Sequence, residues 1–205
     1  MLGRMSTQAD TRQRIMQAAG ELIAARSYAD VGVAEICTAA AVKKGSFYHF
    51  FPSKRELSVA VLDATFVDFK LRLLDEAFSR KLAPFERFRA FSRMIYLFQA
   101  ESARELGFVP GCPFGNMAAE QATQDDVLRL KVQQLFDSLI GEFRLALAEA
   151  VQAGEIEPLD IEATASAMLA YVEGVLLLAK TRNDVELIAQ LMPGMLQVRI
   201  EPGSS

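Results

Sequence analysis

The sequence predicts an all-α protein with a small three-helix head at the N-terminus and a larger helical bundle behind it. Apolar residues recur at helical spacing through most of the 205 residues, and no stretch shows the alternation of a half-buried strand. Two short apolar stripes separated by a tight break, between residues 33 and 51, have the outline of a helix-turn-helix. We therefore expect a head over residues 1–52, a bundle over residues 53–200 and a disordered tail over residues 201–205.

The first helix is expected to support the helix-turn-helix pair, which is too small to bury its own apolar faces. Asp10 or Thr11 can cap its N-terminus. Its apolar face is formed by residues at helical spacing, namely Ile15, Ala18, Ala19, Leu22 and Ile23.

The helix-turn-helix itself follows from the spacing of apolar residues after Val33. Ile36, Ala40 and Val42 belong to the first stripe, and Phe47, Phe50 and Phe51 form the second at i, i+3 and i+4. Residues 43–46 break the pattern between them, which marks a turn or a helix start. Pro52 ends the second helix, and Ser53 with Glu56 three residues later predicts a capping box for the next one.

The bundle is expected to contain long helices with clear start signals. Pro84 suits the first turn of a helix, Asp125 and Asp126 begin another, and Asp160 caps a third. The expected helices of this part cover residues 53–78, a segment from Pro84, residues 116–121, 125–153, 160–181 and 184–198. Pro193 and Gly194 are expected to kink or end the last of them. The helix over 160–181 is apolar on nearly every side and must be covered on every side.

Charge is distributed unevenly along the chain. The formal net charge is −4, but residues 1–55 hold eight basic and four acidic side chains, so that this part is +4 and the remainder is −8. A basic head on an acidic body is what phosphate binding at one end predicts. An excess of this size also arises by chance, so charge alone does not establish nucleic-acid binding.

Several classes of protein are disfavoured by composition. The two cysteines, Cys37 and Cys112, form neither a metal-ligand pattern nor a disulfide framework. No apolar run resembles a signal peptide or reaches the roughly 18 uncharged residues of a membrane span. We expect a cytoplasmic protein with no membrane segment, no metal and no cofactor.

The region from Ile36 to Leu57 resembles the DNA-binding signature of TetR-type transcriptional repressors. The matching residues occur in order, and the resemblance covers residues 10–57. They are Ile36, Ala40, Val42, Lys44, Gly45, Ser46, Phe47, Tyr48, His49, Phe51, Lys54 and Leu57.

The predicted DNA-contacting residues lie in and beside the second short helix. Lys43 and Lys44 open this helix, where their charge and the helix N-terminus favour phosphate. Gly45 allows close approach of the backbone, and Ser46 can reach a base edge or a phosphate. The resemblance further implies phosphate contacts from Tyr48, His49 and Lys54. Tyr48 could alternatively be a half-buried packing aromatic; His49 has no nucleophile or carboxylate beside it in sequence, so catalysis is not expected.

The sequence departs from the family pattern at three places. Ala41 stands at the turn position where Gly is usual, so the turn either avoids positive φ or tolerates strain. Lys43 replaces a frequent Ser/Thr cap. Gly32 and Val33 stand where Thr residues often contact phosphate, which puts that contact in doubt.

The resemblance also implies that the bundle binds an inducer and forms a dimer. The candidate ligand-binding residues share apolar or aromatic character and are Phe66, Phe69, Phe91, Met94, Phe98, Cys112, Phe114, Met117 and Tyr171. Such a stripe is also typical of an ordinary core. The last two helices are expected to form the homodimer interface, and their alternative is a monomeric core.

The resulting expectation is a ligand-responsive repressor, released from a palindromic operator of double-stranded DNA by a small hydrophobic inducer. An alternative is a repressor that senses oxidants or electrophiles through Cys112, which lies in a Gly/Pro-rich loop. A small helical enzyme is disfavoured because the sequence offers no nucleophile–base pair, metal cluster or phosphate loop. A purely structural helical dimer leaves the basic head unexplained.

Overall fold

The computed structural model of the protein describes residues 2–203, with side chains from residue 8 onward, and this part is helical without strands. The predicted all-α class is confirmed. Residues 204 and 205 of the predicted tail lie outside the described residues. The α-helices are α1 (Leu2–Ala25), α2 (Val33–Ala39), α3 (Lys44–Phe50), α4 (Lys54–Phe69), α5 (Asp75–Ala77), α6 (Pro84–Leu106), α7 (Pro113–Gln121), α8 (Asp126–Gln152), α9 (Ile161–Arg182) and α10 (Glu186–Leu191), with a π-helical turn over Lys70–Leu74 and a 3-10 helix over Met192–Gln197.

The chain divides into two compact units. The head unit comprises residues up to 66 together with residues 116–132, and the bundle unit comprises residues 67–115 and the chain from residue 133 onward. The end of α7 and the start of α8 therefore belong to the head unit, although they lie far along the sequence. The sequence-derived boundary between residues 52 and 53 stays a prediction.

The core of the head unit is built from the apolar faces of α1 to α4. Ile15, Val31, Ile36, Phe47 and Leu57 are each fully buried. Full burial of a side chain of this size contributes about 1.5–3 kcal/mol relative to exposure. Ile15, Ile36 and Phe47 are among the residues that the helical spacing predicted to face inward.

The start of α1 differs from the expectation. The helix begins at Leu2 and passes through Asp10 and Thr11 without ending there. Asp10 forms an i, i+4 ion pair with Arg14 at 3.5 Å, and the Thr11 hydroxyl oxygen accepts a hydrogen bond from Arg14 at 3.4 Å. The capping prediction was wrong because both polar side chains find a partner one turn later on the same helix.

Other predicted helix starts agree with the structure. The Ser53 hydroxyl oxygen accepts from the backbone N–H groups of Arg55 and Glu56 at 3.1 and 3.4 Å. The Asp125 carboxylate accepts from the N–H of Val127 at 2.9 Å, and Asp160 accepts from Ala163 at 3.0 Å.

Helix α7 begins three residues earlier than predicted, directly after Cys112, because Pro113 fits its first turn.

The turn between α2 and α3 contains a strained alanine. Ala41 has φ of +52°, in the left-handed region. The Ala41 N–H donates to the Thr38 carbonyl at 3.1 Å and the Val42 N–H donates to the Cys37 carbonyl at 2.9 Å, which is the Schellman pattern that usually ends in glycine. A Cβ in this conformation costs about 1–2 kcal/mol. The turn therefore adopts positive φ and tolerates the strain.

The bundle unit contains an aromatic cluster at its centre. Phe78 and Phe143 contact each other, and each of them also contacts Phe88 and Phe91, with ring centroids 5.2–5.8 Å apart. Aromatic pairs in edge-to-face or offset-stacked arrangements add about 0.5–1.5 kcal/mol per pair beyond the apolar area that they bury. The Arg87 guanidinium, which is also buried, donates to Glu149 at 2.6 Å.

Helix α9 differs from the expectation that it is covered on every side. It buries one face, while Leu177 and Leu178 on another side are 63% and 46% exposed. Among the described residues α9 is also the one helix long and apolar enough to cross a membrane by length and composition, and 39% of its most apolar window is buried.

The last segment, residues 184–198, ends its α-helix near Pro193, as expected. The α-helix ends at Leu191 and the chain continues as a 3-10 helix, because Pro193 lacks an N–H.

We predict that Ala41→Gly stabilises the protein by about 1 kcal/mol, because glycine adopts positive φ without a Cβ penalty. Thermal or urea unfolding of the two proteins measures the difference. The control is Ala34→Gly, the same change at an exposed position in helix α2, which should destabilise by up to about 1 kcal/mol. Equal effects of the two substitutions would contradict the strain at Ala41.

Candidate DNA-binding surface and ligand-binding residues

Helix α3 presents one apolar face to the core and a polar face to solvent. Phe47 is fully buried, with its ring centroid 5.2 Å from that of Tyr48 and 6.2 Å from that of Phe51. Tyr48 is 54% exposed, so part of its ring packs against Phe47 while about half of the side chain remains accessible. His49 is also exposed. Burial of the phenylalanines thus fixes which side chains of α3 face outward.

Two lysines at the start of α3 are exposed and bear positive charge. Lys43 is the N-cap residue, in an extended conformation with φ −80° and ψ 152°, and its side chain makes no capping bond. Within residues 8–203 neither Lys43 nor Lys44 forms an ion pair with an acidic side chain. Gly45 and Ser46 follow on the first turn, and open space surrounds Gly45. This surface combines cations, hydroxyl groups and a close-approach position, the groups that bind phosphate backbones.

Lys54 occupies a different environment from the other candidate DNA-binding residues. Its Nζ donates to the backbone carbonyls of Tyr28 at 2.8 Å and Val31 at 3.1 Å, and it lies 4.1 Å from the centroid of the Tyr28 ring. Two of its three N–H donors are therefore used inside the head unit. In this structure the side chain joins the first turn of α4 to the α1–α2 connection.

The departure at Gly32 is visible in the structure. Gly32 is the N-cap residue of α2, and no side chain caps this helix. A Cβ added at Gly32 would meet open space, so steric exclusion does not explain the glycine. No hydroxyl is available at this position for a phosphate contact.

Three of the candidate ligand-binding aromatics lie together in the bundle unit. The Phe69 ring contacts both Phe98 and Phe114 edge to face, each with a centroid separation of 6.4 Å. Phe114 is buried, whereas Phe69 and Phe98 are half-buried and keep part of their surface accessible.

The other candidates are placed elsewhere. Phe91 belongs to the central aromatic cluster described above, and Met94 is half-buried on the same helix. The Tyr171 hydroxyl donates to the Leu191 carbonyl at 2.8 Å and so fastens α9 to α10. Phe66 and Met117 belong to the head unit.

Cys112 is paired with a carboxyl group that the sequence reasoning did not select. Its half-buried thiol hydrogen-bonds the Glu173 carboxyl, and its Sγ accepts from the Gly115 N–H at 3.3 Å. Burial, followed by the negative charge of Glu173, raises the pKa of the Cys112 thiol well above its usual value. Burial also raises the pKa of Glu173. The sequence feature that could have indicated this pair is Glu173 itself, an acidic residue among the apolar residues in the middle of α9.

Gly115 provides the space that this pair occupies. A Cβ at residue 115 would collide with Oε2 of Glu173 and lie 3.5 Å from the Cβ of Cys112. A larger residue at this position would displace the Glu173 carboxyl, which is the end of a flexible side chain, from its place beside Cys112.

Comparison with known proteins agrees with this arrangement. Residues 15–61 match the family described as "Bacterial regulatory proteins, tetR family", and residues 84–195 match "Tetracyclin repressor-like, C-terminal domain". The chain belongs to the TetR family. Its members are transcriptional regulators with a helix-turn-helix, typically repressors that act as dimers with small-molecule ligands, and they are not enzymes.

Individual relatives align over most of this TetR-family chain. The transcriptional regulator AcuR of Cereibacter sphaeroides is 35% identical over 82% of this chain and 75% of its own. The repressor DhaR of Mycobacterium sp. is 25% identical over 88% of each chain. A crystal structure of the regulatory protein TetR from Rhodobacter sphaeroides superposes with a TM-score of 0.79, at 32% identity, over 92% of this chain and 98% of that one.

We predict that Lys54→Ala lowers the free energy of unfolding of the regulator by about 1–3 kcal/mol, since two carbonyls lose a charged donor. Urea unfolding followed by circular dichroism measures the change. Lys44→Ala removes the same side chain from an exposed site and should leave stability within about 0.5 kcal/mol of the parent protein. If both substitutions had the same effect, the internal hydrogen bonds of Lys54 would contribute nothing.

We also predict slow alkylation of Cys112 by iodoacetamide at pH 8, because its raised pKa leaves little thiolate. Glu173→Gln removes a negative charge that raises this pKa, so the pKa falls and the rate increases by about tenfold for each unit of the fall. Peptide mapping by mass spectrometry separates Cys112 from Cys37, which is buried in the head unit and serves as an internal control. An unchanged rate at Cys112 would show that burial alone protects it.

Proposed function

We propose that this TetR-family regulator is a cytoplasmic repressor that binds a palindromic operator as a homodimer and is released by a small apolar inducer. The observation that carries the DNA-binding part is the exposed face of α3. Four side chains are accessible there, those of Lys43, Lys44, Tyr48 and His49. Phe47, on the opposite face of the helix, is buried in the core of the head unit. Lys43 and Lys44 bind phosphate, Gly45 and Ser46 approach the groove, and Tyr48 and His49 position the helix on the backbone.

The dimer is supported by the apolar surface of α9. Leu177 and Leu178 are adjacent, large and exposed in the single chain. Burial of such residues against a second copy is favourable by about 25 cal/mol per Å² of apolar surface. We propose that α9 and α10 form the interface. A two-fold dimer then places two copies of α3 on successive major grooves, on the order of 34 Å apart.

The inducer part rests on the aromatic group of Phe69, Phe98 and the buried Phe114. Phe69 and Phe98 are half-buried and offer accessible apolar surface within the bundle unit, which suits an apolar ligand. The other candidates for ligand contact are Phe66, Phe91, Met94, Cys112, Met117 and Tyr171. An inducer acts only if it binds the released state more tightly than the DNA-bound state.

The alternative of oxidant or electrophile sensing through Cys112 is less well supported. Reactive cysteines are deprotonated at neutral pH, usually beside a cation. The group next to Cys112 is the carboxyl of Glu173, and it raises the pKa of the thiol. We therefore favour reversible ligand binding as the means of release.

The test is binding of the purified protein to the DNA upstream of its own gene, measured by fluorescence anisotropy across a salt series. We expect two protomers per site and an affinity that falls steeply with salt. Lys43→Ala/Lys44→Ala should weaken binding and lower the salt slope by about 0.9 for each phosphate that the variant no longer neutralises.

The matched control is Arg80→Ala/Lys81→Ala, which removes two adjacent exposed cations from the bundle unit. This variant should bind the operator like the parent protein. If the two double variants reduce the affinity equally, net charge and not the α3 surface governs binding. If the parent protein shows no preference for any fragment in a genome-wide pull-down, the repressor proposal is wrong.

A further inference from the structure

We propose that Glu120 is a positioning residue for DNA binding: its carboxylate holds the α1–α2 connection and thereby sets operator affinity without contacting DNA. This inference rests on the proposed function, since it concerns the affinity of the head for its operator. Glu120 lies on α7, far from α3 in sequence, yet residues 116–132 are part of the head unit.

Both oxygens of the Glu120 carboxylate accept hydrogen bonds from the backbone turn that follows α1. Oε2 accepts from the Tyr28 N–H at 2.9 Å, and Oε1 accepts from the Ala29 N–H at 2.6 Å. The donors are consecutive peptide groups just after the end of α1, at Ala25. Hydrogen bonds to an ionised acceptor are about twice as strong as neutral ones, and a carboxylate that spans two adjacent N–H groups also fixes their orientation.

The same turn is held from the other side by Lys54. Its Nζ donates to the Tyr28 carbonyl, so the backbone of Tyr28 donates to Glu120 and accepts from Lys54. A second bond from Lys54 reaches the carbonyl of Val31, a fully buried residue. Glu120, the turn and Lys54 thus connect α7, the α1–α2 connection and the first residue of α4.

Two ion pairs attach residues 116–132, the segment that contains Glu120, to α4. Arg55 lies 3.6 Å from Asp125, and Asp63 lies 3.0 Å from Lys131. Each of these pairs joins two side chains, and ion pairs of this kind contribute little to the choice of one geometry. Glu120 differs because its partners are backbone groups, which cannot follow a displaced carboxylate by changing rotamer.

The position of this turn matters for α3. Gly32, only three residues after Ala29, is the N-cap residue of α2, and α2 packs on α3 through the common core. A change in the turn therefore alters the direction in which the helix-turn-helix leaves α1.

The decisive variant is Glu120→Gln, studied by the same operator-binding measurement. We expect the affinity to fall by about tenfold or more, because the two charged hydrogen bonds are removed or weakened. The salt slope should stay unchanged, since no phosphate contact is removed. Removal of a negative charge by itself favours binding to DNA, so a fall in affinity is opposite in sign to the electrostatic effect.

The charge-matched control is Glu21→Gln, at an exposed carboxylate of the head unit that accepts from Gln17 on its own helix. Its operator affinity should equal or slightly exceed that of the parent protein. Glu120→Asp keeps the charge but shortens the side chain by one methylene; positioning predicts weaker binding here also, whereas a charge effect predicts no change.

Two further readouts separate positioning from a general decrease in stability. All proteins are compared at a temperature where circular dichroism shows them to be folded, and amide hydrogen exchange is followed at Tyr28 and Ala29. Positioning predicts faster exchange at these two amides in Glu120→Gln, with the core of the bundle unit unchanged. If Glu120→Gln does not fold, Glu120→Asp carries the comparison.

The outcomes distinguish this inference from the proposed function. If the parent protein binds its operator but Glu120→Gln and Glu120→Asp bind as Glu21→Gln does, the positioning role is wrong and the repressor function stands. If the parent protein binds no operator, both are wrong. Faster exchange at Tyr28 and Ala29 with undiminished operator affinity would show a structural contact only and would also overturn the positioning role.

Discussion

Burial of Phe47 is the constraint on which the DNA-binding surface depends. α3 has seven residues, and a helix of this length is not stable in water without tertiary contacts. Phe47 supplies those contacts with Ile15, Val31 and Ile36 in the core of the head unit. Because the inward side of so short a helix is fixed by one aromatic ring, the outward side is fixed as well. The exposed cations and Tyr48 therefore occupy defined positions before any DNA is bound.

The head unit is not one continuous stretch of sequence, because residues 116–132 belong to it. Its α1–α2 connection takes hydrogen-bond partners from Glu120 and Lys54, while Asp30 donates from its backbone to the Ser27 hydroxyl. The compact unit that carries the helix-turn-helix therefore includes residues far along the chain. A fragment that ended near residue 60 would keep α3 but would lack the Glu120 carboxylate, which accepts hydrogen bonds from the α1–α2 connection.

The features that could be predicted from the sequence were local ones. Asp160 starts a helix through a hydrogen bond to a residue three positions later, and Pro84 suits the first turn because its φ is fixed and it needs no N–H partner. The spacing of Phe47 and Phe51 determines the buried face of α3. The contacts that could not be predicted join residues far apart. Tyr28 and Glu120 are 92 residues apart, and neither the partner of Lys54 nor that of Cys112 is marked by any spacing rule. The early start of α1 escaped prediction for another reason, since Asp10 resembles a cap whether or not the helix continues before it.

The π-helical turn over Lys70–Leu74 affects the stiffness of the segment that leaves the head. An uninterrupted α-helix from residue 54 to residue 77 would have one regular hydrogen-bond ladder along its whole length. A π turn widens the helix by one residue and weakens its regular hydrogen-bond ladder, and such turns are frequent at functional sites. The segment therefore consists of two α-helical parts, α4 and α5, separated by the π-helical turn. The Lys70 ammonium donates to Asp75 at 2.7 Å and so links the first residue of the turn to the first residue of α5. From this interruption of the regular hydrogen-bond ladder we expect a twist of residues 54–69 to pass only in part to residues 75–77.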